Sequence, residues 1–96
     1  MSGDDDIFGA KTVVGKNTLE NTTEAFQYDG TAPCAQRMKY WIRDYGGRAT
    51  NDHFDLVVDT STGNKKVEAT DWVVKVGPRR FQVFSHVVFI DLFMVQ

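Results

Sequence analysis

The sequence predicts an α+β domain in which one helix packs on a small, strongly curved antiparallel sheet that curls toward a partial barrel. One stripe of apolar residues at helical spacing lies between Thr31 and Gly47, and strand-like segments follow Ala49. The length of 96 residues suits one domain and is too short for two independent cores. We therefore expect an acidic, partly flexible segment over 1–21 and a single domain over 22–96.

The first predicted strand covers 23–28, because its residues alternate between two faces and the Asp29-Gly30 pair behind it favours a turn. Glycines interrupt every short apolar run in the preceding part of the chain, so that only 11–14 has a faint strand pattern. Regular structure is therefore expected to begin near Thr22.

The predicted helix follows this turn. Thr31 can serve as its N-cap, and Pro33 fits the first turn, where a missing N–H leaves no bond unmade. Gly46-Gly47 supplies the glycine that ends a helix. We expect the apolar stripe to anchor the helix on the sheet, at about 1.5–3 kcal/mol for each large side chain. The stripe consists of Ala35, Met38, Trp41, Ile42 and Tyr45.

Strands and turns are predicted for everything after Ala49. The strands are expected at 54–60, 65–70, 72–76 and 80–85, with a hairpin loop at 61–64. The residues expected to face the core in the first two are Phe54, Leu56, Val58, Val67 and Ala69. The apolar run 87–95 is too short to span a membrane, and we predict that it forms a buried turn and a last core strand.

Composition and charge exclude several classes of function. Thirteen acidic against eleven basic residues give a net charge of −2, whereas proteins that bind duplex DNA usually carry a strong basic excess. Cys34 is the only cysteine, which excludes an intrachain disulfide and a cysteine-built zinc site. The acidic start at 1–6 differs from a secretion signal. We expect a soluble, cytosolic protein with neither a membrane nor a duplex-DNA partner.

Segments spread along the chain resemble one known family. The segment 24–30 is similar to the family's opening, in which Glu-Ala is followed by Gln, an aromatic residue and Gly. The segment 56–60 with Gly63 resembles its hairpin, and 67–77 occupies the place of the Pro-Gly-Asp-Tyr-Gly motif that names the family. The closing segment matches at Phe81, Phe89 and Phe93. On these residues the chain resembles small bacteriophage and prophage proteins of the PGDYG-motif family over 22–96.

The chain departs from this family where it carries Ala69-Thr70 in place of Pro-Gly. Since Thr resists the positive φ that Gly allows, we expect a different backbone geometry in the turn before Asp71. The resemblance implies a phage or prophage gene product in the cytoplasm of a bacterial host. It implies no general activity and no catalytic residues.

The sequence contains no convincing catalytic or metal-binding set. Cys34 could be activated by its place in the first helical turn and pair with His53 or His86, but a small half-buried apolar residue is the simpler interpretation. The Asp52-His53-x-Asp55 spacing fits no zinc cage, which leaves a solvated loop end or a weak surface metal contact. We predict a protein that is not an enzyme and has no metal or cofactor.

Three residues of the family-like segments are predicted to be structural: Glu24, Gln27 and Asp71. Aspartate side chains in turns commonly accept backbone N–H groups, so we expect Asp71 to hold the turn before Trp72 in this way. In the alternative interpretation, Glu24 and Asp71 meet across the sheet and form a site.

Our first functional hypothesis is an interaction module. Two Trp, three Tyr and seven Phe cannot all be buried in so short a chain, and exposed aromatic patches tend to be interfaces. Tyr40 falls off the apolar stripe of the helix, beside Gln36 and Arg43. We predict that Tyr40 and Arg43 belong to a surface that binds a host protein or a second copy of this chain.

The alternative hypothesis is capture of a nucleotide or a single-stranded nucleic acid. Such sites stack a base on an aromatic ring and place arginines near the phosphate, and Trp72, Arg79 and Arg80 supply both groups. Basic residues at hairpin ends also protect sheet edges from aggregation, which is the structural alternative. A minor virion component is a third hypothesis.

Overall fold

The computed structural model describes residues 9–16, 18–52 and 55–96, with the backbone alone for 18–21 and 52. Within these residues the fold is α+β, as predicted, with two helices and eight strands. In chain order the elements are β1 (Ala10–Gly15), β2 (Thr18–Gln27), α1 (Ala32–Asp44), β3 (Ala49–Asp52), β4 (Asp55–Thr60), β5 (Gly63–Val67), β6 (Trp72–Gly77), β7 (Arg80–Phe84), α2 (His86–Leu92) and β8 (Phe93–Val95).

The strands form two antiparallel sheets. The larger sheet has five strands in the order β7-β6-β2-β1-β8, and the smaller one has the order β3-β4-β5. The larger sheet is open and does not close into a barrel, because β7 and β8 lie at its opposite ends. Neighbouring residues such as Val73 and Val74 belong to different apolar clusters, so both faces of the larger sheet are covered.

One face of the larger sheet packs against α1 and the smaller sheet. Trp41 lies at the centre of this core, and its ring meets those of Phe26 and Phe81 edge-to-face at centroid distances of 5.7 and 5.4 Å. The predicted stripe of the helix is confirmed: Ala35, Met38, Trp41 and Ile42 are buried, and Tyr45 is partly buried against the same cluster. Burial of this stripe therefore fixes α1 on the sheet.

Both ends of α1 lie where the sequence indicates. The Thr31 hydroxyl accepts the N–H of Cys34 at 3.3 Å, and Pro33 stands in the first turn. Gly46, just after the helix, has a φ of +83°, a conformation that glycine adopts without strain. A Cβ at this position would lie 2.8 Å from Cγ of Arg79. The absence of a side chain therefore lets Arg79 pack over the end of the helix.

Regular structure begins earlier than expected. The expectation of a start near Thr22 is wrong, because β1 begins at Ala10 and pairs with both β2 and β8. β2 likewise starts at Thr18 rather than at residue 23. Hydrogen bonds to these two neighbouring strands hold a segment whose own sequence signal is weak. The acidic residues of 1–6 lie outside the described part of the chain.

The C-terminal run also differs from its prediction. Residues 87–95 do not form a buried turn and a core strand; most of them belong to α2, which is followed by the three-residue β8. Ser85 starts this helix as its N-cap, and packing of Phe89 on Trp72 together with this cap overrides the strand preference of Val and Ile. Neither helix in the described residues is long and apolar enough to cross a membrane.

The inward and outward pattern of the middle strands is largely as predicted. Leu56, Val58 and Val67 are buried. Ala69 is exposed, contrary to the prediction, because β5 ends at Val67 and the chain has already entered the turn that follows. Phe54, also expected in the core, lies outside the described residues.

The turn between β5 and β6 holds a strained threonine. Thr70 has a φ of +77°, so the expectation that Thr would avoid the left-handed geometry is wrong. Its N–H donates to the Tyr28 carbonyl at 2.7 Å, and the Asp71 carbonyl accepts the Tyr28 N–H at 2.9 Å. These hydrogen bonds to the end of β2 hold Thr70 in the left-handed conformation, which is unfavourable for a residue with a β-branched side chain.

Thr70→Gly is expected to raise the free energy of unfolding by up to about 1.5 kcal/mol. The left-handed conformation costs an L-residue about 1–2 kcal/mol, and glycine removes this strain but adds about 0.5–1 kcal/mol of backbone entropy. Urea unfolding of both proteins measures the difference. Thr50→Gly in β3 is the matched control and should destabilise the protein. A Thr70→Gly protein that is as destabilised as the control would contradict the assignment of strain.

Candidate functional site

In the C-terminal segment, β8 pairs with β1, whereas α2 is attached to the larger sheet mainly through one aromatic ring. Phe89, which is 1% exposed, is the buried residue of α2. Its ring stacks on that of Trp72 at a centroid distance of 3.9 Å and an angle of 4°. Phe93 of β8 extends the stack at 5.2 Å. The rest of this segment is therefore left on the outside of the molecule.

The other apolar side chains of α2 and β8 face solvent, with exposed fractions between 38 and 73%. They are Val87, Val88, Ile90 and Leu92 of α2 and Met94 and Val95 of β8, which together we call the C-terminal surface. Asp91 is the only charged residue among 87–95. Concentrated exposed apolar surface of this kind is typical of protein interaction sites. The sequence-based prediction missed it because it placed this segment in the core.

The sheet edges differ in how well they are protected from pairing with another strand. β5 carries exposed Lys65 and Lys66, and charged side chains of this kind discourage such pairing. β7 lies against β4 of the smaller sheet, and β3, the other edge of that sheet, lies against α1. β8 instead presents exposed Met94 and Val95. The apolar, unguarded edge therefore belongs to the C-terminal surface.

Tyr40 and Arg43, predicted as interface residues, lie on α1. Tyr40 is 50% exposed, its hydroxyl accepts the side-chain N–H of Gln36 at 3.1 Å, and it borders a groove of about 510 Å³ between α1 and β1. Arg43 borders a separate shallow depression of about 460 Å³ with Lys39 and Arg48. Since α1 and α2 cover opposite faces of the larger sheet, neither residue belongs to the C-terminal surface.

Trp72, Arg79 and Arg80 do not form an exposed stacking and phosphate site. Trp72 is 5% exposed, Phe89 covers its ring, and its indole N–H donates to Nδ1 of His86 at 3.1 Å. Contrary to the prediction, Trp72 therefore has no ring face available to a base. Arg79 packs over the end of α1, and Arg80 is exposed at the start of β7.

Glu24 binds α1 rather than Asp71. Its carboxylate accepts the indole N–H of Trp41 at 2.9 Å and the hydroxyl of Tyr45. Asp71 instead lies beside Tyr28, four residues further along the chain, or about 13 Å at the rise of a strand. The alternative in which Glu24 and Asp71 meet is therefore wrong. Glu24 ties the helix to β2 through two aromatic side chains.

The groove between α1 and β1 is polar along its inner wall. Glu24 and Tyr45 line it, and an adjoining recess of about 240 Å³ adds Thr22 and Lys75. Nζ of Lys75 lies 3.9 Å from the centroid of the Tyr45 ring, a cation–π contact. The described residues that line these spaces include no Cys, Ser or His. The arrangement offers charge and hydrogen bonds.

The contact with Glu24 predicts a pH-dependent contribution of Tyr45 to stability. The hydrogen bond to Glu24, and then burial, raise the pKa of Tyr45 above its usual range. A raised pKa gives stability that is fully present below the unfolded value near 10 and is lost as pH rises through the folded value. Tyr45→Phe should therefore be less stable than the wild type at pH 7, and this difference should shrink above pH ~10.

Urea unfolding of both proteins between neutral and alkaline pH measures this difference. Comparison of the two proteins at each pH removes the effects of the groups that they share, including Tyr28. A difference in unfolding free energy that stays constant across the whole range would contradict the role given to the Tyr45–Glu24 bond.

Gln27 and Asp71 both bond to the turn that contains Thr70. The Asp71 carboxylate accepts the N–H of Glu68 at 3.0 Å. The side-chain amide of Gln27 donates to the Thr70 carbonyl at 3.1 Å and lies 3.3 Å from Nδ1 of His86. In these contacts, both residues hold the backbone between β5 and β6 rather than line a cavity.

Cys34 is buried in the first turn of α1 and is 3% exposed. Burial raises the pKa of its thiol, which is the opposite of the activated cysteine considered from the sequence. His86 bonds to Trp72 and His53 lies outside the described residues. The ligand set Asp52-His53-x-Asp55 therefore also lies in part outside them.

Comparison of the chain with protein-family models, curated proteins and solved structures found no match.

Proposed function

We propose that this protein is not an enzyme and acts by binding another protein through the C-terminal surface. The observation that carries the proposal is the exposure of six apolar side chains on α2 and β8, at 38 to 73% each. A helix with this many apolar residues is expected to bury more side chains than Phe89 alone if it functions without a partner. Burial of these side chains against a partner would supply the driving force for association.

The biological setting proposed here rests on the sequence resemblance. We propose a phage or prophage protein that works in the cytoplasm of a bacterial host, with a host protein or a second copy of the chain as partner. A role as a minor virion component is compatible with the same surface, since assembly into a particle also buries apolar side chains.

Nucleotide or single-strand binding is the weaker proposal. It requires an exposed ring beside Arg79 and Arg80, and Trp72 is buried. A mobility-shift titration with short single strands at physiological salt checks this alternative. We expect no shift, and a shift that Arg79→Ala with Arg80→Ala abolishes would favour it over protein binding.

The interface is tested by the double variant Val87→Glu/Ile90→Lys. Both positions are exposed, the net charge is unchanged, and the new charges suit the two ends of a helix. We expect the melting temperature to stay within a few degrees of the wild type and the capture of partner protein from host lysate, including further copies of the chain, to fall at least tenfold.

A matched control on the opposite face is Gln36→Glu/Tyr40→Lys. It changes two exposed positions of α1 with the same charges and also tests the surface predicted around Tyr40. Unchanged capture by this control, with loss in the α2 variant, supports the proposal. Equal capture by the wild type and the α2 variant would overturn it.

A further inference from the structure

The free edge of β8 carries unused backbone hydrogen-bonding groups. Leu92 and Gln96 bond toward β1, since the Leu92 carbonyl accepts the Lys16 N–H at 2.8 Å and the Gln96 N–H donates to the Thr12 carbonyl at 2.9 Å. Along an antiparallel strand these directions alternate with every residue. The C=O of Phe93 and the N–H and C=O of Val95 therefore point away from β1, and no strand in the described residues pairs with them, whereas the Phe93 N–H donates to the Phe89 carbonyl at the end of α2.

We propose that a second copy of this chain occupies the C-terminal surface by antiparallel pairing of β8 with β8. This inference rests on the proposed function and names its partner. Met94 lies at the centre of the three-residue strand, so a two-fold axis there places Met94 opposite Met94. Phe93 of each copy then lies opposite Val95 of the other, and in each such pair the Val95 N–H donates to the Phe93 carbonyl of the other copy.

The same axis brings the rest of the C-terminal surface together. A two-fold axis perpendicular to the sheet puts both α2 helices on the same face of one continuous sheet. The seam between them is apolar except for Asp91. Exposed Val95 lies on the sheet face that carries α2, because Val13, its neighbour in β1, packs in the same apolar cluster as Phe89. One symmetric contact therefore covers both the strand edge and the exposed helix.

The other strand edges and the net charge favour β8 as the edge that pairs and a second copy of this chain as its partner. β5 is guarded by lysines, β7 lies against β4 and β3 lies against α1, so β8 is the edge left open to pairing in the described residues. A net charge of −2 gives little long-range repulsion between copies. Six partly exposed side chains supply less than the roughly 800 Å² that each partner gives a standard interface. We therefore expect a weak dimer that depends on concentration.

The test is oxidative cross-linking of the Met94→Cys variant of the full chain with copper–phenanthroline. Cys34 is buried, so the new thiol is the accessible one. In the proposed register, facing Cα atoms lie about 4.5 Å apart, within the range of a disulfide. We expect covalent dimers at least tenfold faster than for Ser61→Cys, which places a thiol on the exposed turn after β4.

The same variant separates this inference from the proposed function. Addition of Val87→Glu/Ile90→Lys to Met94→Cys should reduce cross-linking to the level of Ser61→Cys. Cross-linking of Met94→Cys that is no faster than that of Ser61→Cys overturns the β8 pairing. If host-protein capture is then still lost in Val87→Glu/Ile90→Lys, the C-terminal surface binds a different protein; if capture is also kept, the proposed function fails as well.

Discussion

Replacement of Trp41 by alanine is expected to lower the free energy of unfolding by about 3–5 kcal/mol, a loss comparable to the whole stability of a small domain. The side chain is 7% exposed and fills the space between α1 and the larger sheet. Its ring contacts Phe26, Phe81 and Tyr45, and its N–H donates to Glu24. Truncation would leave a cavity and an acceptor without its donor. Urea unfolding followed by circular dichroism measures the loss.

Two variants separate these contributions. Trp41→Phe keeps most of the ring but loses the N–H, so it should cost less than the alanine variant. Tyr40→Ala changes the next residue, which is exposed, and should alter stability by no more than about 0.5 kcal/mol. A Trp41→Ala protein that melts cooperatively near the wild-type temperature would show that α1 does not dock as described.

Phe89→Ala is expected to have the second largest effect, a loss of about 3–4 kcal/mol concentrated in the C-terminal segment. Phe89 is the buried residue of α2, and its ring lies 3.9 Å from that of Trp72. Without it, a helix of seven residues is too short to persist in water. Amide hydrogen exchange should then show lost protection in α2 and β8, with protection kept in β2 and β6.

The control for this loss is Val87→Ala, which truncates the most exposed residue of α2 and should leave exchange protection unchanged. Phe89→Leu keeps an apolar side chain, so the exchange protection of α2 can still be measured in this variant if the alanine variant unfolds as a whole. Full protection of α2 amides in Phe89→Ala would contradict its attachment through this ring.

The sequence predicts α1 correctly because every local signal agrees there. The Thr31 cap, the apolar stripe and Gly46 all indicate the same helix, and agreement of this kind is the best basis for prediction. β1 lacks such agreement, since its place depends on hydrogen bonds to β2 and β8 that lie far away in sequence. The prediction for the α2 segment is wrong because Val and Ile favour strands, and the N-cap at Ser85 is evident only in the structure.

Each candidate site residue could be predicted only as well as the helix or strand around it. Tyr40 is exposed as expected, because a residue off the stripe of a known helix faces solvent. The burial of Trp72 depends on Phe89, which covers it from α2, so its position could not be read without that helix. Neither the composition nor the hydrophobic periodicity of 87–95 predicts that the C-terminal surface is exposed, since a run of apolar residues ordinarily belongs to the core.

Sedimentation velocity of the full chain over a range of concentrations tests most directly the claim that the C-terminal surface is an interface between copies. We expect the wild type to shift from the 10.9 kDa monomer toward a dimer as concentration rises, and Val87→Glu/Ile90→Lys to remain monomeric throughout. A wild type that stays monomeric at every concentration, or a variant that dimerises equally well, would contradict it.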